Sequence, residues 1–140
     1  MISRGYLELG EELRTVVGEL VRRARGADEL PANHAAALGH LDRSGPATIA
    51  ELAHACHIRH QSMTAIVHQI AKRGEATAEP HPTDRRAVLY RLTAVGRTEL
   101  ERDRHLRASW LAQCIEDEFG DDTQSIENAI QVLRRLRDRK

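Results

Sequence analysis

Residues 48–93 read TIAELAHACHIRHQSMTAIVHQIAKRGEATAEPHPTDRRAVLYRLT, and the punctuation of this stretch decides the fold. Thr48 and Glu51 stand three apart. At that spacing a Thr hydroxyl accepts from a free N–H of the first helical turn, and the Glu reaches back to the cap's own N–H. A helix therefore starts near Thr48, with Ile49, Leu52 and Ala53 on one face. The periodicity breaks around His57 and Ile58. It resumes near His60, where Met63, Ile66, Val67 and Ile70 again fall at helical spacing. Gly74 follows Lys72 and Arg73. Glycine suits a left-handed C-terminal cap, and cations favour the negative end of the helix dipole.

Beyond Gly74 the composition changes. Glu75 to Glu79 reads as a weak strand, and Pro80 and Pro82 exclude a helix across the turn. Ala87 to Leu92 is richer in strand formers, with Val88, Leu89 and Tyr90. Helix, tight turn, helix and hairpin is the order of a winged helix-turn-helix, whose second helix lies in a DNA major groove. His60, Gln61, Ser62, Thr64, Ala65 and His68 would then be its outward residues. On the hairpin tip, Arg85 and Arg86 can reach phosphates or a narrow minor groove. Asp84 is expected to pair with an arginine and stiffen the tip.

Asp84-Arg85-Arg86 followed by Leu92-Thr93-x-x-Gly96, with Glu51-Leu52-Ala53 upstream, resembles the MarR family of bacterial transcription regulators. The length and the flanking helices fit a full-length match. The resemblance implies a homodimer on double-stranded DNA, a recognition helix from about His60 to Arg73, and a wing in which Asp84 and Arg86 pair or touch the minor groove. It also implies a small-molecule effector bound between the dimer helices and the DNA-reading lobe. Tyr6, His34 and Trp110 are candidates for lining that pocket. The chain departs from the family at Ala65, where a basic residue is common, and after Gly74, where apolar residues and an arginine are usual.

At 140 residues one domain is expected. Aromatic residues make up only 3%, so its core must be mainly aliphatic. Acidic and basic residues balance at 21 each, which does not advertise a nucleic-acid binder. The balance is local, however: from His57 to Arg91, Arg59, Lys72, Arg73, Arg85, Arg86 and Arg91 outnumber Glu75, Glu79 and Asp84. No run reaches the roughly 20 apolar residues of a membrane span, and no signal peptide is visible, so a cytoplasmic protein with no membrane partner is expected.

The expected fold class is mainly α with a small β-hairpin wing. Residues 1–30 and 94–140 form a helical dimerisation region around a winged-helix lobe at 31–93. One helix covers about 3–25, with Tyr6, Leu9, Leu13, Val16, Val17 and Leu20 on its stripe. A second covers Asn33 to Asp42. Thr93 caps a long helix from about Ala94 to Asp117, carrying Leu100, Leu106, Trp110, Leu111 and Ile115. Its charged face holds Arg97, Glu99, Glu101, Arg102, Asp103, Arg104 and Arg107. A last helix from about Thr123 to Arg137 carries Ile126, Ile130, Leu133 and Leu136. Its stripe packs within the chain, against a second copy, or both.

Other chemistries are less well supported. His54, Cys56, His57 and His60 are metal-ligand types, but His54 and His57 share a face that Cys56 and His60 do not, so no metal or other cofactor is expected. Cys56 and Cys114 read as packing residues, not redox sensors. No phosphate loop, nucleophile elbow or metalloprotease motif is present, and no enzyme is expected. The function expected is a ligand-responsive repressor binding a pseudo-palindromic site as a homodimer. The alternative is a winged-helix protein-interaction module with weakened DNA binding, suggested by the zero net charge, Ala65 and Ala78.

Overall fold

The structure is a computed structural model that describes Met1, residues 3–26 and residues 30–140. The described residues form α1 (Arg4–Arg23), α2 (Ala32–Ser44), α3 (Ile49–Cys56), α4 (His60–Lys72), β1 (Ala76–Pro80), β2 (Val88–Leu92), α5 (Ala94–Phe119) and α6 (Thr123–Arg137). The expected break between Gly26 and Pro31 falls in part on residues 27–29, outside the described residues. The chain divides into two compact units, Ala27–His105 and Met1–Gly26 with Leu106–Lys140.

In the Ala27–His105 unit, α2, α3 and α4 pack on one another and on the hairpin. Leu38, Leu52, Met63, Val67, Ile70 and Leu100 are fully buried there, with Tyr90 as an aromatic member. The core is aliphatic, as the composition requires. Each boundary has a local cause. Thr48 Oγ1 accepts the Glu51 N–H at 3.1 Å and starts α3. Thr93 Oγ1 accepts the Gly96 N–H at 3.1 Å and starts α5. Gly74 adopts φ +75° after α4, a conformation that a side chain would strain.

The hairpin is antiparallel, in a register running from Ala76 opposite Leu92 to Pro80 opposite Val88. It has a third participant. Ala47 exchanges two backbone hydrogen bonds with Tyr90, at 3.1 and 2.9 Å, which fastens the segment before α3 to the wing. On α5 one expectation is corrected. Asp103 is not on a solvated face but has no exposed surface. It lies one turn after buried Leu100 on the same face, and its Oδ1 accepts the Leu30 N–H at 3.0 Å. A buried carboxylate is tolerable when it is hydrogen-bonded in this way.

In the other unit, α6 begins at Thr123 with Asp122 as its cap, accepting the Ser125 N–H at 3.3 Å. The Arg23 guanidinium lies 5.9 Å from the centre of the Trp110 ring, within cation–π reach. Neither α1 nor α6 has a buried residue. Leu9, Leu20 and Val21 on α1, and Ile130, Leu133 and Leu136 on α6, remain exposed. Among the described residues no helix is long and apolar enough to cross a membrane.

Candidate nucleic-acid interface

The turn between α3 and α4 is only three residues long, His57 to Arg59. His57 makes it possible by adopting φ 54°, in the left-handed region. The Ile58 N–H then donates to Ala53 O at 3.0 Å and the His57 N–H to His54 O at 3.3 Å, which closes α3 in a Schellman pattern. Helix α4 follows at once. Its N-cap, Arg59, makes no side-chain capping bond, so no cap side chain satisfies the N–H groups of the first turn.

Met63, Ile66, Val67 and Ile70 bury one face of α4. His60, Gln61, Ser62, Ala65 and His68 are exposed on the remainder. Thr64 differs from them. It is half-buried, and its hydroxyl donates to His60 O at 2.9 Å, so it offers a partner only an acceptor. Gln69 and Lys72 are exposed as well. Their places on the outward face follow from the same periodicity that buries Met63 and Ile70, which would have identified them.

The wing tip is built by side chains folded onto backbone. His81 Nδ1 accepts the N–H of Thr83 at 3.2 Å and of Asp84 at 3.0 Å. Asp84 stiffens the tip by another route than expected: its Oδ1 accepts the Arg86 N–H at 3.0 Å, so its partner is the arginine's backbone and not its guanidinium. Arg85 and Arg86 are both exposed, and neither has an ion-pair partner among the described residues.

The remaining basic groups divide. Arg91 is held by the Glu79 carboxylate through two bonds of 3.2 and 2.9 Å. Arg73 Nε lies 2.6 Å from Glu75. Arg59, Lys72, Arg85 and Arg86 carry charge without an ion-pair partner among the described residues, so this surface is positive although the chain is neutral. A cleft of about 550 Å³ opens between the tip and the starts of α3 and α4, with Glu51, His60, His81, Asp84 and Arg86 among its walls.

Glu75 is 1% exposed; its Oε1 is ion-paired with Arg73, but the angle is not that of a hydrogen bond, and Oε2 has no hydrogen-bond partner among the described residues. Burial pushes its carboxyl above the usual range, against the opposing pull of Arg73. His34 is also buried, with Nδ1 unpartnered among the described residues. Burial first, and Arg73 second, lower its tendency to take a proton. The other two pocket candidates lie in the terminal unit: Tyr6 is exposed on α1 and Trp110 is half-buried on α5. Cys56 is half-buried against the core, and burial pushes its thiol up, opposite to what a reactive thiolate needs. His54 and His57 are exposed, and Cys114 is half-buried.

These elements define a winged helix-turn-helix with an outward recognition face and a basic tip. The MarR family model matches residues 29–87, the stretch that holds α2, α3, α4 and the first arm and tip of the wing. It is 28% identical over 133 residues to an HTH-type transcriptional regulator of Mycobacterium leprae whose role is uncharacterised, covering 93% of each chain. A Pseudomonas aeruginosa PA01 structure shares 26% identity and superposes with a TM-score of 0.83 over 99% of this chain and 100% of the other. The Bordetella bronchiseptica regulator BpsR, whose DNA binding is regulated by 6-hydroxynicotinic acid, shares 21% identity and the fold, with a TM-score of 0.65 over 94% of this chain and 99% of its own.

Proposed function

We propose that this chain is a DNA-binding transcription regulator that acts in the cytoplasm as a homodimer on a pseudo-palindromic duplex site. The observation that carries this is the pairing of an exposed α4 face with a wing tip whose Arg85 and Arg86 have no ion-pair partner among the described residues. In this reading Gln61 and Ser62 bond base edges, since amide and hydroxyl groups match them. His60, Thr64, Ala65 and His68 complete the groove face. Asp84 holds the tip, and Arg85 and Arg86 take phosphate or minor groove.

The exposed stripes of α1 and α6 are the surface for the second copy. A two-fold dimer would set two recognition helices about 34 Å apart, one turn of DNA. Bound near a promoter, it would exclude polymerase and act as a repressor. Release by a small-molecule effector is proposed by analogy with BpsR, with Tyr6, His34 and Trp110 as candidate contacts.

The test is binding to duplex from the upstream region of the chain's own gene, against scrambled duplex, across a salt series. Selective binding that falls steeply with salt is expected, because counterion release sets the slope. Equal, weak binding to both duplexes would favour the second reading, a protein-interaction module. What favours that reading is Ala65, exposed on α4 without any polar group, and the engagement of Arg91 by Glu79.

A further inference from the structure

We propose that the neutral imidazole of His81 is the positioning residue of the wing: it folds the tip that presents Arg85 and Arg86, and on taking up a proton it releases that tip and weakens DNA binding. This rests on the wing being a DNA contact, as proposed above.

The hydrogen bonds dictate the protonation state. Backbone N–H groups can only donate, and those of Thr83 and Asp84 both point at His81 Nδ1, at 3.2 and 3.0 Å. The Thr83 hydroxyl approaches the same atom at 3.4 Å. Nδ1 must therefore carry its lone pair, and the ring proton must sit on Nε2. An imidazolium has a proton on both nitrogens and would oppose two donors with a third. His81 thus turns the chain as an Asn or Asp side chain does in an Asx turn, but unlike Asn it loses its acceptor when it takes up a proton.

The tip depends on this acceptor in sequence. With Thr83 and Asp84 fixed, Asp84 Oδ1 accepts the Arg86 N–H at 3.0 Å. Asp84 O accepts the Ala87 N–H at 3.1 Å, and Ala87 O accepts the His81 N–H at 3.4 Å. Pro82, inside the loop, has no N–H to contribute. The backbone beside both arginines is set by a chain that begins at the imidazole.

Charged groups around His81 pull in both directions. Glu79 from β1, Glu51 from α3 and Asp84 from the tip favour the imidazolium; Arg85 and Arg86 from the tip disfavour it, as does His60 from α4 when charged. A DNA phosphate would favour it. If His81 served as a simple phosphate contact, acid would strengthen binding. If it positions the tip, acid weakens binding, and the sign separates the two roles.

The experiment compares wild type, His81→Ala and His81→Asn for duplex binding at low salt, at about pH 8 and about pH 5.5, either side of the imidazole range. Asn places an acceptor near the Nδ1 position and does not titrate. At the higher pH, His81→Ala should bind about fivefold more weakly, the worth of roughly one net hydrogen bond, and His81→Asn should match wild type. On acidification, wild type should lose more affinity than His81→Asn. Wild-type affinity in His81→Ala, or the same or a smaller acid loss in wild type than in His81→Asn, would overturn the proposal. Amide NMR without DNA separates its two halves: the Thr83 and Asp84 signals should follow the His81 titration. If they ignore it, the His81 device is wrong even where DNA binds. If they follow it and no duplex binds at either pH, it is the DNA reading that fails.

Discussion

A Cβ placed on Gly96 would overlap the carbonyl oxygen of Glu75 and approach Leu92 Cδ1 to 2.7 Å. The first turn of α5 therefore lies directly on the backbone that leads from α4 into the wing. Thr93 secures the same junction: its N–H donates to Glu75 O at 3.1 Å and its hydroxyl to Gly74 O. Because the clash is with backbone, no rotamer relieves it. Gly96→Ala should lower stability by about 1–3 kcal/mol, the usual cost of overpacking. Urea unfolding followed by circular dichroism checks this, and an unchanged midpoint would mean that α5 can shift away freely.

His57 holds a left-handed conformation that L residues enter at a cost, although His does so more readily than most. Glycine pays no such penalty. His57→Gly should stabilise the protein by up to about 1 kcal/mol, less whatever glycine adds to the entropy of the unfolded chain. The His57 side chain is exposed, so little packing is lost. Thermal unfolding would show a raised midpoint; a lowered one would mean that the imidazole has a role in the turn beyond its backbone angle.

Glu75 sets a pH dependence whose sign can be worked out. Burial raises its folded pKa above the unfolded value. Below both values the carboxyl is protonated in both states and has no effect. Above the folded value it is charged in both, and the fold bears the whole cost of burying the charge. Glu75→Gln should therefore stabilise at about pH 8, by roughly 1 kcal/mol given that Arg73 offsets part of the cost, with the gain vanishing under acid. His34 works in the opposite direction: its folded pKa lies below the ordinary 6.5, so its contribution is full above that value and is lost as pH falls through the folded pKa. A gain from Glu75→Gln that persists unchanged in acid would show that the charge is not its origin.

The sequence made most of this fold legible because its boundaries are local. Thr48, Gly74, Thr93 and Asp122 act on their own turns, and α6 runs over the expected residues. The rest depends on long-range partners. Asp103 looks solvated beside Arg102 and Arg104, yet it is buried with its Oδ1 bonded to the N–H of Leu30, far back in the chain. The bond between Ala47 and Tyr90 has no periodic signature. In the site, the outward face of α4 followed from periodicity, whereas the role of His81 did not, because a histidine between two prolines does not announce what its ring nitrogen will accept.

The apolar stripes of α1 and α6 predict the oligomeric state. Leu133 is 43% exposed and Leu136 53%, with Ile130 on the same helix. If a second copy covers them, Leu133→Glu removes about 1.5–3 kcal/mol of apolar burial per copy, and a two-fold interface counts it twice. Dissociation should then strengthen by at least about a hundredfold. Sedimentation should show dimer for wild type and monomer for the variant at the same concentration, with helix content retained. A monomeric wild type would assign the stripes to another partner.

Arg86 and Gln61 should fail in different ways if the interface works as proposed. An arginine on phosphate or minor groove adds affinity largely regardless of sequence and releases counterions. Arg86→Ala should thus weaken binding to every duplex and reduce the salt slope by about one. Gln61 offers a donor and an acceptor to a base edge, and a good pair is worth about 1–3 kcal/mol of discrimination. Gln61→Ala should relax preference at one position of the selected site in each half while leaving the salt slope nearly unchanged. Titrations across salt, combined with site selection from a random pool, distinguish the two. Unchanged affinity of Arg86→Ala at low salt would remove the wing from the contact, and an identical preference for Gln61→Ala would move base reading to its neighbours on α4. Ser62 and His68 are the exposed polar residues there that could take over.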